Sequence, residues 1–310
     1  MTIHISTAPC CWGVDDVKNP FLAPWRTVLG EAAEAGYRGI ELGPYGYLPL
    51  DPEVLDSALG DNRLHVVAGT IFDDLATPAN LPSLLAQTRD ICALLKQLPP
   101  IKKETGQRFA GPYLVIIDWG HEERDYAAGH SDRARRLDDV AWKTMMEQIR
   151  AICHIAWNDY GIRPVIHPHA GGYIEFADEL ARLAEDIPDE IAGLCLDTGH
   201  LYYAGMDPAA SLKAYAHRLD YIHFKDIDQA VLDQVMNERI TFFEACGKGV
   251  MCPIGRGVIN YPELYRLIQS LGYEGYITVE QERDPRNANG SLEDVRSSRA
   301  YLADIGFRPT

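Results

Sequence analysis

The sequence lacks long apolar runs and lacks an excess of basic residues. Its longest apolar runs have about the length of one strand, well short of the roughly 20 residues that a membrane-spanning helix needs. The chain of 310 residues contains 29 Lys and Arg against 45 Asp and Glu, a formal net charge of −16. Such an acidic surface repels nucleic acids and anionic membranes at long range. We therefore expect neither a nucleic acid nor a membrane as a partner.

Three further motifs are missing. The seven cysteines form no Cys-x-x-Cys pair, so a cysteine-bound metal is not expected. The first residues, Met-Thr-Ile-His-Ile-Ser, lack the basic and apolar regions of a signal peptide. Together these features predict a cytoplasmic protein with reduced thiols. No Gly-x-Gly-x-x-Gly follows the first apolar run, which argues against a dinucleotide-binding fold.

Short apolar runs alternate with longer helical patterns along the chain. The predicted strands are Ile3–Ala8, Gly39–Gly43, Leu64–Phe72, Pro112–Ile117, Pro164–His167, Ala192–Leu196, Asp220–Phe224 and Gly275–Val279. The predicted helices are Trp25–Ala35, Asp51–Ala58, Leu81–Leu98, Ala134–Tyr160, Ile174–Asp186, Asp207–His217 and Leu292–Leu302. Such alternation is typical of a parallel sheet in the α/β class. We expect a closed (β/α)₈ TIM barrel, a single domain over residues 1–310, rather than a doubly wound sheet, because polar residues follow so many strand ends.

The connection between the seventh and eighth predicted strands departs from this pattern. Residues 228–259 exceed a normal connection in length, and they contain an apolar-periodic piece and then two glycine-rich segments. We expect a helical insertion followed by a mobile Gly-rich loop over the barrel mouth. Arg256 in that loop either stays exposed or closes over an anionic or hydroxylated ligand.

Four apolar strands end in residues that can bind a metal ion or transfer a proton. The segments are His167-Pro-His169, Asp197-Thr-Gly-His200, His223-Phe-Lys225 and Glu280-Gln-Glu282. Residues i and i+2 of a strand point to the same side, and barrel enzymes carry their active sites at the carboxyl ends of the strands. The sequence therefore predicts one site built from four strand ends. One Asp, one or two His and one Glu suit Mn²⁺, Co²⁺, Fe²⁺, Zn²⁺ or Mg²⁺.

Two residues near other strand ends keep several interpretations open. Glu41, at the end of the second predicted strand, binds substrate, faces solvent or pairs with a base. Trp12, which follows the first predicted strand, is either a platform on which a sugar stacks or a plug in the core.

These residues, in this order, resemble the sugar isomerase/epimerase superfamily, the xylose-isomerase-like TIM barrels that also include the AP endonuclease family 2 barrels. The resemblance spans nearly the whole chain and is densest in Leu196–Pro208, His223–Asp226 and Gly272–Pro285. It places the family's metal ligands at His167, Asp197, His223 and Glu280. The first of these is commonly Glu in the epimerases, and a His there matches the dehydratase-like members. His167 is therefore open as a ligand, a base or a substrate contact.

The resemblance implies a metal-dependent lyase that dehydrates a cyclic keto-polyol, such as 2-keto-myo-inositol, through an enediolate. The divalent cofactor would be Mn²⁺ or Co²⁺ in the first place, and the activity would belong to carbohydrate metabolism, in particular inositol catabolism. The expected proton-transfer residues are His169, Lys225 and Glu280. The expected substrate-binding residues are Trp12, Glu41, His200 and Arg256.

Other functions stay open beside this one. A keto-sugar isomerase or 3-epimerase, or a 3-keto-glycoside lyase, would use the same metal site, and a sugar-binding barrel would bind without turnover. An AP endonuclease is not expected, because an Asp-x-His after strand seven is missing and the net charge is −16. The partner would be a small keto-sugar or keto-inositol. The sequence leaves open whether the chain is a monomer or a homo-oligomer.

Overall fold

Eight parallel strands close into a barrel in the computed structural model, which describes residues 2–308. In chain order the barrel strands are β1 Ile3–Thr7, β2 Gly39–Glu41, β3 His65–Asp73, β4 Tyr113–Asp118, β5 Pro164–Ile166, β6 Gly193–Asp197, β7 Leu219–Phe224 and β8 Gly275–Val279. Each strand pairs with the next, and β8 closes the ring by pairing with β1 from Gly275 opposite Ile3 to Val279 opposite Thr7. The predicted TIM barrel is confirmed, with the strand ends close to their expected positions.

The interior of the barrel is packed rather than hollow. Inward-facing valines and aromatic residues from several strands form one buried cluster. Within it the rings of Tyr113 and Tyr221 stack with their centroids 5.0 Å apart. Such layers of bulky side chains are usual in this fold and separate the two ends of the barrel. The polar residues at the carboxyl ends of the strands therefore lie above an apolar floor.

Helices surround the barrel, and several begin at a residue that the sequence marks as a cap. In chain order they are α1 Trp25–Glu34, α2 Pro52–Asn62, α3 Leu81–Gln97, α4 Glu122–Asp125, α5 Asp139–His154, α6 Ala177–Asp186, α7 Thr198–Tyr203, α8 Pro208–Ala214, α9 Gln229–Glu238, α10 Phe242–Gly247, α11 Tyr261–Leu271 and α12 Ser291–Ile305. The Asp51 and Asp207 carboxylates accept hydrogen bonds from the first N–H groups of α2 and α8. Within residues 2–308, every helix is too short or too polar to cross a membrane.

Several helices differ from the sequence prediction, and three of the differences have a clear local cause or consequence. α5 begins at Asp139 rather than at Ala134, because the Asp138 carboxylate accepts a hydrogen bond from the Ala141 N–H and fixes the start there. The predicted helices do not include α7, which follows β6 directly and carries His200. The prediction lacks α11, a helix that Asn260 caps.

The insertion between β7 and β8 is helical, as predicted, but its Gly-rich part is anchored. The Asp226 carboxylate accepts hydrogen bonds from the N–H groups of Gly255, Gly257 and Ile259 at 2.8 to 3.0 Å. Asp226–Ile227 also pairs antiparallel with Met251–Cys252. The second of the two Gly-rich segments is therefore anchored at the rim of the barrel, and the expectation of a mobile loop over the mouth is wrong for that segment. The part of the insertion that reaches over the mouth is α10.

Candidate metal-binding active site

Four strand ends bring the predicted metal ligands to one point. His167 follows β5, Asp197 ends β6, His223 lies in β7 and Glu280 follows β8. One ligand atom from each residue lies within 4.8 Å of those from the others. His223 Nδ1 is 3.0 Å from Glu280 Oε2, and His167 Nε2 is 3.7 Å from Asp197 Oδ2. The topology thus assembles residues that lie far apart in the sequence.

The hydrogen bonding of these residues fits a bound cation. Among residues 2–308, both ring nitrogens of His167 and Nδ1 of His223 are buried without a hydrogen-bond partner. Buried polar atoms are nearly always hydrogen-bonded, so free imidazole nitrogens beside two carboxylates form a donor set suited to a divalent ion. Glu41 Oε1 accepts a hydrogen bond from His223 Nε2 at 2.9 Å and so orients Nδ1 toward the cluster. Glu41 therefore pairs with a histidine, and it also lines the cavity above the cluster.

The two carboxylate oxygens of Asp197 have different roles, one in starting a helix and one in the candidate site. Oδ1 accepts hydrogen bonds from the Gly199 and His200 N–H groups at 2.8 and 2.9 Å and so starts α7. Oδ2 faces the cluster and lies 2.8 Å from Lys225 Nζ. Burial alone would raise the pKa of Asp197, but Lys225 and the neighbouring histidines hold it well below its usual value. Asp197 is therefore ionised and fixed in orientation, as a metal ligand would need to be.

Lys225 is a buried ammonium among three carboxylates. Its Nζ lies 2.8 Å from Asp197 Oδ2 and 2.5 Å from Glu280 Oε2. A third oxygen, Glu282 Oε1, is 3.1 Å away. Burial alone would lower the pKa of Lys225, but these carboxylates hold it well above its usual value. Burial alone would likewise raise the pKa of Glu280, but His223 and Lys225 lower it. Lys225 stays protonated and Glu280 ionised, so Glu280 suits the role of ligand better than that of general base.

The backbone N–H and C=O of Ala170 give His169 and His200 opposite hydrogen-bonding roles. The Ala170 carbonyl lies 2.8 Å from His169 Nδ1, which carries the proton and leaves a free lone pair on Nε2. The Ala170 N–H donates to His200 Nδ1 at 3.2 Å, so the proton of that ring lies on Nε2. Burial lowers the pKa of both residues well below the usual value and keeps both rings neutral. His169 is thus an acceptor and His200 a donor, with ring centroids 3.9 Å apart.

A small cavity, which we call the inner cavity, opens above these groups. It has a volume of about 90 Å³, and its polar side includes His169, Lys225 and Glu280. Phe72, at the end of β3, and Phe243, from α10, also line it. Trp119, which follows β4, stacks on Phe72 with centroids 5.5 Å apart and meets Phe243 edge-on at 4.9 Å. The inner cavity therefore combines a polar wall with an aromatic one.

Several residues of the inner cavity have no assigned role in the sequence prediction, among them Asp15, Phe72, Phe243 and Glu282. The alternation of strand residues pairs Glu282 with Glu280 and is the signal that could have found it. Burial raises the pKa of Asp15 well above its usual value, and the charges of Glu282 and Glu280 add to this effect. Phe72 and Phe243 carry no motif, and only the folded structure brings them to the mouth.

Three predicted substrate-binding residues, Trp12, His200 and Arg256, do not line the inner cavity. His200 is 2% exposed and packs against His169, which does line it. Trp12 is 1% exposed, and its indole N–H donates to Glu31 Oε2 at 2.6 Å. It therefore fills the core, and the sugar-platform interpretation is wrong. The Arg256 side chain is 56% exposed and lies 3.7 Å from Asp294 Oδ1. The anchored Gly-rich segment holds it away from the site, so Arg256 does not close over the cavity.

A comparison with protein families agrees with this fold. The family described as xylose isomerase-like TIM barrel matches residues 29–304. The chain belongs to this family.

Curated relatives that match nearly the full chain are named inosose dehydratase. The relative from Clostridium perfringens (strain 13 / Type A) is 27% identical over 307 residues, which cover 97% of each chain. The relative from Geobacillus kaustophilus (strain HTA426) is 29% identical over 294 residues, which cover 92% of this chain and 89% of the relative. The chain is therefore an enzyme of the dehydratase or isomerase/epimerase type.

Solved structures show the same fold at lower identity. The structure of IolI protein with a bound zinc atom has a TM-score of 0.69 and 14% identity, and it covers 97% of both chains. D-allulose 3-epimerase from Methylomonas sp. in complex with D-allulose has a TM-score of 0.67 and 16% identity, and covers 98% of this chain and 97% of its own. At these identities the likeness extends to the fold alone.

Proposed function

We propose that this chain is a metal-dependent hydro-lyase that removes water from a cyclic keto-polyol such as 2-keto-myo-inositol. The observation that carries this proposal is the pairing of a proton-accepting His169 with a proton-donating His200 directly beside a His, Asp and Glu cluster. Dehydration needs a base for one carbon and a donor for the leaving oxygen. The names of the curated relatives support dehydration over the other reactions of this fold.

His167, Asp197, His223 and Glu280 would hold the metal ion. Their mixture of imidazole and carboxylate donors suits Mn²⁺ or Co²⁺, the ions that we propose. When bound, such an ion supplies Lewis-acid polarisation of the substrate carbonyl, which lowers the cost of removing a proton from the neighbouring carbon. The ring nitrogens of His167 have no hydrogen-bond partner among the described residues. Burial alone would lower the pKa of His223, but neighbouring charges, among them Glu280 and Glu41, hold it well above its usual value, so an ion would take the place of the proton on Nδ1, which faces Glu280 at 3.0 Å.

His169 is the proposed general base. Its Nε2 lone pair is unprotonated and belongs to a residue that lines the inner cavity. Lys225 and Glu280, the other expected proton-transfer residues, suit that role less because one is held protonated and the other is held as a weak base. His169 takes the proton from the carbon beside the carbonyl, and the resulting enediolate expels the hydroxyl on the next carbon. The proton on His169 and that hydroxyl together balance the water that leaves.

Lys225 and His200 are the proposed donors to substrate oxygens. The ammonium of Lys225 remains charged in the wall of the inner cavity and stabilises negative charge that develops on the departing oxygen. His200 presents its Nε2 proton toward the Glu282 carboxylate at 3.5 Å, a distance that leaves it free to bind a hydroxyl instead. Glu41 acts through His223, whose orientation it fixes.

The proposal is tested with Mn²⁺-loaded protein and 2-keto-myo-inositol in H₂O and in D₂O. We expect a product with the ultraviolet absorbance of a conjugated enol or diketone. His169→Asn should abolish both this product and the exchange of the substrate proton for deuterium. The exposed His217→Asn variant, in the turn before the amino end of β7, is the control and should match the wild type.

The same experiment separates dehydration from its alternative. A 3-epimerase or isomerase would incorporate deuterium and invert or move a hydroxyl without any new absorbance. That result would replace the proposed dehydration with epimerisation. Absence of exchange and of product with every keto-polyol tried would contradict the proposal as a whole.

A further inference from the structure

A buried carboxylate lies behind the loop that carries His169. Glu175, in the segment between β5 and α6, is 2% exposed and does not line the inner cavity. Its Oε2 accepts a hydrogen bond from the Gly171 N–H at 3.0 Å, and its Oε1 accepts one from the Gly129 N–H at 2.7 Å. Arg124 Nη2 lies 3.4 Å from Oε2. Both oxygens of Glu175 therefore face donors, and one of these donors belongs to the loop of His169.

One peptide unit joins Glu175 to His169. The N–H of Gly171 and the carbonyl of Ala170 are the two polar groups of the same planar amide. The N–H donates to Glu175 at 3.0 Å, and the carbonyl accepts the proton of His169 Nδ1 at 2.8 Å. Hydrogen bonds that follow one another in this way polarise each other, so an acceptor at the N–H makes the carbonyl a better acceptor in turn. Glu175 thus reaches the imidazole without touching it.

The backbone at Gly171 sets the direction of this peptide. Its φ of +86° lies in the left-handed region, which glycine adopts without a steric penalty. A Cβ at this position would lie 2.7 Å from Cζ3 of Trp119, closer than real contacts allow. Glycine therefore permits the bend in which the N–H turns to Glu175 while the preceding carbonyl turns back to His169.

The charged groups around Glu175 come from several elements. Arg124 of α4 also lies 2.7 Å from Glu179 of α6, which Arg136 approaches at 3.3 Å. Tyr203 of α7 is near enough for the charge of Glu175 to contribute to its raised pKa. Burial raises the pKa of Glu175 to about 8, although Arg124 and the two backbone N–H groups lower it. As the pH rises through this value the group gains its charge, and a charged acceptor forms the stronger hydrogen bond.

We propose that Glu175 is a positioning residue that acts on His169 through the Ala170–Gly171 peptide. It fixes the carbonyl that holds the Nδ1 proton, and so it keeps the Nε2 lone pair of His169 free and more basic. This rests on the proposed function, in which His169 is the general base. In hydrolytic triads a carboxylate orients the imidazole by direct contact, whereas here a peptide unit stands between the two.

The test compares Glu175→Gln with Glu179→Gln. Both residues are buried partners of Arg124, but the hydrogen bonds of Glu179 go to other backbone groups than Gly171, so Glu179→Gln is the matched control. The amide of Glu175→Gln keeps one acceptor oxygen and adds a donor, so one backbone N–H loses its partner and the other meets a weaker one.

Kinetics with Mn²⁺-loaded protein and 2-keto-myo-inositol measure the effect. We expect kcat of Glu175→Gln to fall by about 10–100-fold, by analogy with the loss of an outer partner of an active-site histidine. KM and metal content should stay close to those of the wild type, because neither the cavity wall nor the metal ligands change. Glu179→Gln should keep kcat close to the wild-type value.

The pH profile gives a second readout that a purely structural role would not alter. The kcat of the wild type should rise as the pH passes about 8, where Glu175 gains its charge, and Glu175→Gln should lack this rise. Profiles of the same shape for the two proteins would overturn the inference.

A second matched pair keeps the test decisive if a single variant fails to fold. Arg124→Gln combined with Glu175→Gln, and Arg124→Gln combined with Glu179→Gln, each remove one charge of either sign. Equal loss of kcat in both members of a pair, or an unchanged kcat without Glu175, would overturn the inference and leave the proposed function intact. Full activity of His169→Asn would overturn the proposed function, and the inference with it.

Discussion

The two ends of the barrel each bury a cluster of charges, and the clusters differ in their balance. Near the amino ends of the strands, Arg163 Nε lies 2.7 Å from Asp220 Oδ2, and Arg163 Nη2 lies 2.9 Å from Asp189 Oδ1. Arg108 joins the same two aspartates at 2.5 and 3.2 Å. Two arginines thus pair with two aspartates. The guanidinium of the buried Arg218 nearby donates to the carbonyls of Ala184, Ile187 and Ala192, so every charged group of this cluster has a protein partner.

At the carboxyl ends the charges do not cancel. Three carboxylates, those of Asp197, Glu280 and Glu282, surround the single ammonium of Lys225. Imidazole nitrogens of His167 and His223 lie beside them without partners in the described part of the chain. A balanced buried cluster contributes to the fold and needs no ligand, whereas an unbalanced one is incomplete until a cation joins it. The difference indicates which end of the barrel carries the chemistry.

The largest effect is expected from one aspartate at each end. Asp197→Asn keeps an oxygen that can cap α7 but removes the charge at Oδ2. We expect metal affinity to fall by more than about a hundredfold, because loss of an outer partner alone typically costs about 10–100-fold. Activity should fall with it. Asp220→Asn should keep the metal and instead lose about 3–5 kcal/mol of unfolding free energy.

Elemental analysis and urea unfolding of both variants check this contrast. Full activity and full metal content in Asp197→Asn would contradict the assignment of the site. Loss of metal in Asp220→Asn would contradict the separation of the two ends.

Replacing the cation of each cluster, Lys225 or Arg163, should affect kcat in one case and the unfolding free energy in the other. Lys225→Met should retain the metal, since it leaves the carboxylates with more uncompensated charge, but should lower kcat by about 10²–10⁴-fold, the usual contribution of a proton-transfer or donor group. Arg163→Met should leave kcat nearly unchanged and lower the unfolding free energy by about 3 kcal/mol. Steady-state kinetics with denaturant unfolding measure both. An unchanged kcat in Lys225→Met would remove Lys225 from the mechanism.

The pH dependence of stability should sharpen the comparison further. Burial, with the neighbouring charges, lowers the pKa of His169 and His200 well below 6.5 in the folded state. The unfolded chain takes up these protons below about pH 6.5, so the unfolding free energy of the metal-free protein falls as the pH drops from 7 to 5. Each residue contributes up to about 1.4 kcal/mol per pH unit.

His169→Asn removes one of these groups and should make the slope shallower by that amount. The exposed His217→Asn variant is the control. Equal slopes for wild type and His169→Asn, measured by urea unfolding at each pH, would show that His169 is not held neutral.

The smallest effect is expected at Arg256. Its exposed side chain approaches only Asp294, at 3.7 Å, and exposed ion pairs contribute between zero and about 1 kcal/mol. Arg256→Ala should therefore change kcat/KM by less than about threefold and leave metal binding intact. A large loss of kcat/KM would show that the anchored Gly-rich segment moves onto the substrate.

The fold could be predicted from the sequence because its strands are short apolar runs bounded by turn residues. The positions of β8 and α3 follow from such local patterns. α11 escaped prediction although Asn260 and Pro262 mark its start, because it follows a long insertion whose end carries no clear signal. The start of α5 depends on a single capping carboxylate at Asp138, which several nearby polar residues could equally have supplied.

The site was predictable where strand alternation sets the direction of side chains. This is why His167, Asp197, His223 and Glu280 converge as expected. Trp12 was misjudged because its partner, Glu31, lies on α1, and the sequence does not show this contact. The proton positions on His169 and His200 could not be foreseen, since they depend on the Ala170 peptide lying between the two rings.

The attachment of the insertion has a consequence for how this barrel can change its substrates. The pairing of Asp226–Ile227 with Met251–Cys252 brings both ends of the segment between them together at the rim. That segment carries Phe243 into the wall of the inner cavity, while the metal ligands belong to the barrel itself. Because both ends of the segment are fixed at neighbouring positions, its length and sequence can change without displacing the barrel strands. Evolution, or a protein engineer, can replace it to admit a different molecule while the chemical machinery stays as it is.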